Sequence, residues 1–121
     1  MVALPKVRRG CVYWVDFDPV IGSEQGRKRP ALVIQNNLGN LTSEVTTVIA
    51  ITSKVPAKKY PMHVHLTVLG KPAVLLCEQI RTASLERVHP ELVLELTPEQ
   101  MDEVEEAIHH QFGFSAETAG L

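Results

Sequence analysis

The residues best suited to chemistry lie where predicted strands end. Arg29 stands where a basic loop meets the second predicted strand, and Thr52 ends the third strand, directly before Ser53. Glu78 and Gln79 interrupt an apolar run in a later strand. Because burying an unpaired polar group is costly, such groups must be hydrogen-bonded or lie at a solvent-exposed rim. A guanidinium and a hydroxyl at such a rim are suited to holding a phosphate by its oxygens.

Structural roles are open for the same residues. Arg29 could form a surface salt bridge, Thr52 could bond to backbone at a strand end, and Gln79 could join two strand ends through its amide. Tyr13 and Trp14 lie in a strand-like run and are interpreted as core residues rather than as platforms for base stacking.

The two halves of the chain differ in charge. Residues 1–60 hold nine Lys and Arg and four Asp and Glu, a balance of +5, while residues 61–121 hold three and ten, a balance of −7. A polyanion is therefore attracted to the first half and repelled by the second. Lys54, Lys58 and Lys59 are suited to phosphate contacts and Tyr60 to stacking on a base, although a solvated basic loop has the same composition.

Metal and nucleophile chemistry have little support. His63 and His65 lie two residues apart, on one face of a strand, but no third ligand follows at a recognisable spacing. We interpret them as surface histidines and predict no metal and no cofactor. Cys11 and Cys77 lie in apolar runs and are interpreted as core residues rather than a disulfide. The sequence contains no Ser-His-Asp arrangement and no phosphate-binding glycine motif.

The elements that must position these residues are mostly strands. Runs of β-branched and aromatic residues predict strands at 11–17, 31–35, 45–53, 62–68, 73–81 and 92–96. They are separated by loops at 22–29 and 54–61, turns at 36–40 and 70–72, and one helical turn at 84–88. Pro30 is expected to open the second strand, because proline is excluded from the middle of a sheet.

One helix is predicted near the C-terminus. Thr97 is a suitable N-cap, Pro98 suits the first helical position, and Gln100 completes a capping box. The apolar residues that follow at helical spacing are Met101, Val104, Ile108 and Phe112, and Gly113 can end the helix. Several short strands and one amphipathic helix predict a mainly β protein of the α+β class, a partly open barrel or sandwich covered by the helix.

Six short motifs give the chain a resemblance to the MazF/PemK toxins over residues 8–112. They are Arg9-Gly10, Gly22-Ser-Glu-Gln-Gly26, Arg29-Pro30, Val33-Ile-Gln-Asn36, Ile51-Thr52 and Glu78-Gln-Ile-Arg-Thr82. Each motif alone is weak evidence, but six in order with compatible spacing are specific. Two departures are visible: Cys11 stands where the family often has an acidic residue, and the segment between Pro61 and Glu78 is shorter than in many members.

The resemblance implies an SH3-like barrel with a C-terminal helix, a homodimer, and metal-independent cleavage of single-stranded RNA. The products would carry a 2′,3′-cyclic phosphate and a 5′-hydroxyl. By position, the catalytic pair is Arg29 and Thr52. Attack by a ribose 2′-OH on its own 3′-phosphate needs in-line geometry and stabilisation of charge on the phosphorane. Arginine stays protonated, so Arg29 would stabilise charge rather than act as a base, and Thr52 would position the phosphate.

The resemblance also implies that the 22–28 and 54–60 loops grip RNA. The predicted RNA contacts are Ser23, Glu24, Gln25, Gly26, Arg27, Lys28, Asn36, Ser53, Lys54, Lys58, Lys59, Tyr60 and Gln79. An antitoxin with an acidic, partly disordered tail is the expected protein partner, since such a tail would occupy the basic channel and exclude RNA.

The 121 residues are expected to form a single domain with flexible ends at 1–7 and 115–121. No stretch approaches the roughly 18 apolar residues of a membrane span, and residues 1–9 lack the apolar block of a signal peptide. The expected location is therefore the cytoplasm. Two rival functions stay open: a non-catalytic barrel toxin that binds a protein target such as gyrase, and an RNA-binding module without cleavage.

Overall fold

The structure is a computed structural model that describes residues 4–18, 22–23 and 27–120. The predicted RNA contacts Glu24, Gln25 and Gly26 lie outside these ranges. The strands are β1 (Cys11–Asp16), β2 (Lys28–Val33), β3 (Val45–Thr52), β4 (His63–Val68), β5 (Lys71–Ser84) and β6 (Val88–Glu95). The helices are α1 (Asn37–Thr42), α2 (Pro98–Gln111) and α3 (Ala116–Ala119), with a 3₁₀ turn at Leu85–Arg87.

The six strands form one antiparallel sheet in the order β4-β5-β3-β2-β1-β6. The sheet curls into a half-barrel, which confirms the predicted mainly β fold with a C-terminal helix. The two central strands are β3 and β2, whose ends carry Thr52 and Arg29. Within the described residues, no helix is long and apolar enough to cross a membrane.

Alternation along the strands divides the core between two faces of the sheet. One, called here the helix-covered face, includes Leu32, Ile49 and Ile51 and packs against Val104 and Ala107 of α2. The other, called the opposite face, carries a second buried cluster. Its members are Val7, Cys11, Tyr13, Val15, Phe17, Ala31, Val33, Val48, Ala50, Ala83 and Val88. Cys11 and Cys77 are buried free thiols, one in each cluster, as predicted.

Helix α2 begins as predicted. The Gln100 N–H donates to Thr97 Oγ1 at 3.1 Å, and the Thr97 N–H donates to Gln100 Oε1 at 2.8 Å, so both halves of the capping box are present. The prediction of Phe112 as the last residue of the helical apolar stripe is wrong, since α2 ends at Gln111. Phe112 is the C-cap and is 55% exposed, because the chain leaves the core there and its ring stacks on Phe114 instead.

Two predictions for the segment around Asn36 and β2 are wrong. Strand β2 starts at Lys28 and ends at Val33, so Pro30 lies inside it rather than at its start. Proline is tolerated there because the ladder with β3 begins only at Ala31, while Pro30 pairs with Trp14 of β1. Residues 37–42 form the helix α1 instead of a turn, because Asn36 caps them by accepting the Gly39 N–H at 2.8 Å.

The second half of the sheet is more extended than predicted. Strand β5 has 14 residues and begins at Lys71, because Leu69 and Gly70, both with positive φ, make the reversal from β4. Strand β6 begins at Val88 and pairs with β1 at the edge of the sheet. The predicted helical turn at 84–88 is confirmed by the 3₁₀ turn, which Ser84 caps by accepting the Glu86 N–H.

Candidate active site

Arg29 and Thr52 lie on the same face of the sheet. The β2–β3 ladder pairs Ala31 with Ala50, and continuing its register by two residues leads to Arg29 and Thr52. Side chains two residues apart in a strand project to the same side, so both belong with Ala31 and Ala50 on the opposite face. Arg29 also pairs with Val15 of β1, a residue of that face. Since neighbouring strands are about 5 Å apart, the two side chains begin close together on adjacent strands.

The Thr52 hydroxyl is held in place by the segment that follows it. Thr52 is 4% exposed, and its Oγ1 accepts the backbone N–H of Lys54 at 3.1 Å. A hydroxyl that accepts one hydrogen bond still has its own hydrogen to donate. The bond therefore fixes the oxygen at the start of the 54–60 loop while leaving an O–H for a substrate oxygen.

A groove of about 460 Å³ is lined by Arg29 and by Ser53, the neighbour of Thr52, whereas Thr52 itself is not among its described lining residues. Among the residues that the structure describes, its lining includes the cations Lys28, Arg29 and Lys71 together with Ser53, and no acidic residue. A concave surface lined by one sign of charge concentrates ligands of the opposite sign. Trp14, interpreted from sequence as a core residue, is half-buried and lines the groove, whereas Tyr13 is buried at 3% exposure as expected.

The predicted RNA contacts of the 54–60 loop are accessible. Lys54, Lys58 and Lys59 are exposed. Tyr60 is 46% exposed, and its ring packs edge-on against His63, with centroids 5.5 Å apart and an interplanar angle of 74°. The loop thus presents cations and one aromatic ring to solvent.

The described part of the 22–28 loop is fixed at its end. Ser23, Arg27 and Lys28 are exposed. The Arg27 N–H donates to Asp18 Oδ1 at 2.7 Å, and the Arg27 carbonyl accepts the Phe17 N–H at 2.9 Å. These bonds hold Arg27 at a positive φ of 62° and orient the chain into β2, where Lys28 reaches the groove.

Asn36 and Gln79 have different surroundings from the other predicted contacts. The Asn36 Oδ1 is engaged as the N-cap of α1, so the structure gives this residue a local structural role. Gln79 is half-buried in β5 and interacts with at least one neighbouring group. It lies in an irregular part of the β3–β5 ladder, where Ile49 pairs with Ile80 but Ile51 pairs with Leu75. Gln79 therefore lies outside the regular pairing of β5 with β3, beside Glu78.

Sequence interpretation missed a contact between a histidine and a carboxylate next to the predicted site. His63 Nε2 lies 2.8 and 2.9 Å from the two carboxylate oxygens of Glu78. The interpretation of His63 as an ordinary surface histidine is wrong, since its side chain is 5% exposed. The polar interruption at Glu78 was a visible signal, but its partner lies 15 residues away and is brought to it by the pairing of β4 with β5.

Cys77 and Arg81 have structural surroundings. Burial, and to a lesser extent the charge of Glu78, raises the pKa of the Cys77 thiol to about 12, so it stays protonated and unreactive. Arg81 lies over the Phe17 ring at 5.2 Å and supports the opposite face. Within residues 4–18, 22–23 and 27–120, no three His, Cys, Asp or Glu side chains form a group suited to a metal ion.

The fold and the motifs place the chain in a known class. Residues 8–112 match the family model described as PemK-like, MazF-like toxin of type II toxin–antitoxin system, and the chain belongs to this family. It is 43% identical over 106 residues to Endoribonuclease EndoA of Bacillus subtilis (strain 168), covering 84% of this chain and 90% of that protein.

Solved structures show the same fold. MazF from Deinococcus radiodurans superposes with a TM-score of 0.75 at 30% identity, covering 88% of this chain and 96% of the other. A mycobacterial endoribonuclease in complex with its cognate antitoxin superposes with a TM-score of 0.73 over 90% of this chain and 97% of the other. Its identity of 19% makes that likeness one of fold alone.

Proposed function

We propose that this protein is a sequence-specific, metal-independent endoribonuclease toxin that cleaves single-stranded RNA, including mRNA, and so inhibits translation and growth. The observation that supports this most is the location of Arg29 and Thr52 on one face, each two residues beyond the last pair of the β2–β3 ladder. The similarity to Endoribonuclease EndoA across most of both chains supports the same activity.

The chemistry we propose is an internal transesterification. The ribose 2′-oxygen bonds to the adjacent phosphorus as the bond from phosphorus to the 5′-oxygen breaks. The 2′-OH loses one proton and the leaving 5′-oxygen gains one, so the products are a 2′,3′-cyclic phosphate and a 5′-hydroxyl. No water is consumed, and the step makes no requirement for a metal ion.

Arg29 and Thr52 have distinct roles in this step. The guanidinium of Arg29 grips the non-bridging oxygens and stabilises the charge that accumulates on the phosphorane. The Thr52 O–H donates to the same phosphate, and the Lys54 N–H bond keeps the hydroxyl aimed. The cationic groove and the exposed lysines of the 54–60 loop hold the flanking phosphates.

We further propose a homodimer and a cognate antitoxin with an acidic, partly disordered tail that competes with RNA for the basic channel. A mycobacterial protein of this fold is known in complex with its cognate antitoxin. Charge segregation supports the competition, since the first 60 residues carry a balance of +5. An acidic tail would meet the same cations as RNA.

The test is cleavage of end-labelled single-stranded RNA by the purified protein in excess EDTA. We expect cleavage by the wild type and products with cyclic-phosphate ends. Arg29→Ala should lose activity by about 100- to 1,000-fold, the usual cost of removing one group that stabilises a transition-state charge.

The matched control is Arg8→Ala. Arg8 is an exposed arginine whose backbone N–H, rather than its side chain, bonds the Tyr13 hydroxyl, so activity should be retained. A wild type that binds RNA without cutting it would favour the RNA-binding module, and one that does neither would favour a barrel toxin with a protein target. Full activity of Arg29→Ala would also refute the assignment.

A further inference from the structure

The irregularity in β5 gives the sheet an exposed acidic group beside the proposed active site. Between the pairs Ile49–Ile80 and Ile51–Leu75, four residues of β5 (76–79) stand opposite Ala50 alone. Bulges of this kind bend a strand and re-aim side chains, and they are frequent beside active sites. Here the bulge keeps Cys77 in the core while the Glu78 side chain, 40% exposed, projects outward.

His63 holds the Glu78 carboxylate in one orientation. Its Nε2 lies within 2.9 Å of both carboxylate oxygens. The His63 ring is itself fixed, since its side chain is only 5% exposed, its backbone N–H donates to the Tyr60 carbonyl at 3.1 Å, and the Tyr60 ring packs on it. A carboxylate positioned in this way loses little conformational entropy when it binds a ligand.

The carboxylate retains capacity to accept further hydrogen bonds. Two carboxylate oxygens offer about four acceptor sites, and the single N–H at Nε2 cannot occupy them all. A group that can only accept hydrogen bonds favours ligands that present hydrogen-bond donors. Adenine, cytosine and guanine each present an exocyclic amino group, whereas uracil presents two carbonyl oxygens beside its single N–H, and a carboxylate repels those oxygens.

The position of this group relative to the proposed catalytic pair follows from the register. Thr52 pairs with Val74, and Val74 pairs with His65 of β4. His63 lies two residues from His65 and therefore on the same face as Thr52. Glu78 lies on β5 four residues beyond Val74, the partner of Thr52. At about 3.3 Å per residue this offset is up to about 13 Å, so a base held at Glu78 belongs to a neighbouring nucleotide rather than to the scissile ribose.

Tyr60 completes the arrangement. Its ring is 46% exposed although one edge contacts His63. Stacking on an aromatic ring is tolerant of base identity, so Tyr60 can hold any base while Glu78 distinguishes among them.

We propose that Glu78, held by His63 on which Tyr60 packs, is a specificity-determining subsite that reads the exocyclic amino group of a base next to the cleaved phosphate and rejects uracil there. This proposal rests on the proposed ribonuclease function. Glu78 contacts the base, and His63 acts through Glu78 as a positioning residue.

The experiment compares cleavage rates on RNAs that differ only in the base at each position around a mapped cut site. For the wild type, we expect one position at which uracil lowers kcat/KM by about 10- to 100-fold, the effect of one charge-assisted hydrogen bond. Glu78→Gln, whose amide can also donate to a carbonyl, should reduce that discrimination to a few-fold. His63→Gln should weaken the discrimination at the same position.

Glu91→Gln is the matched control, because Glu91 is an exposed glutamate on β6, at the far edge of the sheet from β4. The base preferences of the Glu91→Gln variant should equal those of the wild type. A second measurement needs no variant: removing the amino group of the preferred base, as inosine does for guanine or purine riboside for adenine, should lower the wild-type rate as much as uracil does.

The outcomes separate the two proposals. A wild type that does not cut RNA overturns the proposed function and the subsite with it. A wild type that cuts RNA, with Glu78→Gln keeping full discrimination against uracil at every position, overturns the subsite alone. Normal cleavage of RNAs in which the preferred base lacks its amino group would also overturn the subsite alone.

Discussion

Two substitutions of Thr52 separate the proposed catalytic role of its hydroxyl from its structural role. Thr52→Val keeps the shape of the side chain and removes the oxygen, and Thr52→Ser keeps the oxygen and removes a methyl group. The two variants are informative together because Thr52 is 4% exposed and its Oγ1 accepts the Lys54 N–H at 3.1 Å. Each change therefore alters one defined contact.

The expected magnitudes differ for the two variants. A hydrogen bond to a charged phosphate is worth about 1.5–3 kcal/mol, so Thr52→Val should lower kcat/KM by roughly 10- to 150-fold. Its stability should change by about 1 kcal/mol or less, because Lys54 is exposed and water can replace the lost acceptor. Thr52→Ser loses a buried methyl group, so its free energy of unfolding should fall by about 1 kcal/mol while activity stays within a few-fold.

The assay is single-turnover cleavage of a labelled RNA beside urea denaturation of the same preparations. Wild-type turnover by Thr52→Val would remove Thr52 from the proposed mechanism. An equal loss of activity in both variants would show that the methyl group matters as much as the hydroxyl, and would contradict an effect that belongs to the hydroxyl alone.

Two further predictions concern the supporting structure. The pKa of Cys77 is raised from 9.0 to about 12, so above pH 9 the unfolded chain loses a proton that the folded chain keeps. The free energy of unfolding should therefore fall as pH rises between about 9 and 12, by up to roughly 1.4 kcal/mol per pH unit, and urea denaturation of Cys77→Ala should show a flatter profile. An unchanged slope in that variant would exclude the thiol as the cause. Thr97→Ala removes one half of the capping box and should cost about 1 kcal/mol in urea denaturation, whereas Thr97→Ser should stay near wild type. Equal stability of the alanine and serine variants would contradict the role of the cap.

Features with short-range signals were predictable from sequence. The capping box at Thr97 and Gln100 specifies the start of α2 through contacts within four residues, and it forms as predicted. The β-branched run at 45–53 matches β3 to within one residue. These local preferences agree with the tertiary structure, which is why sequence patterns alone could identify them.

Features set by pairing between distant segments were not predictable. Pro30 lies inside β2 because the adjoining ladder with β3 starts one residue later, and sequence does not show where a ladder starts. His63 was interpreted as a surface residue because its partner Glu78 reaches it only through the β4–β5 register and the bulge. The location of Arg29 and Thr52 on one face likewise depends on register, and the prediction of their roles came from the motifs.

The order of strands has a consequence for how relatives of this protein diverge. Arg29 and Thr52 extend from the two innermost strands, each bordered on both sides, whereas β4 is an outer strand with His63 at its first position. Substitutions at the periphery leave the middle of the sheet undisturbed. We therefore expect that lineages change which RNA sequences they cut by altering the outer strand and its loops, while cleavage itself is inherited unchanged.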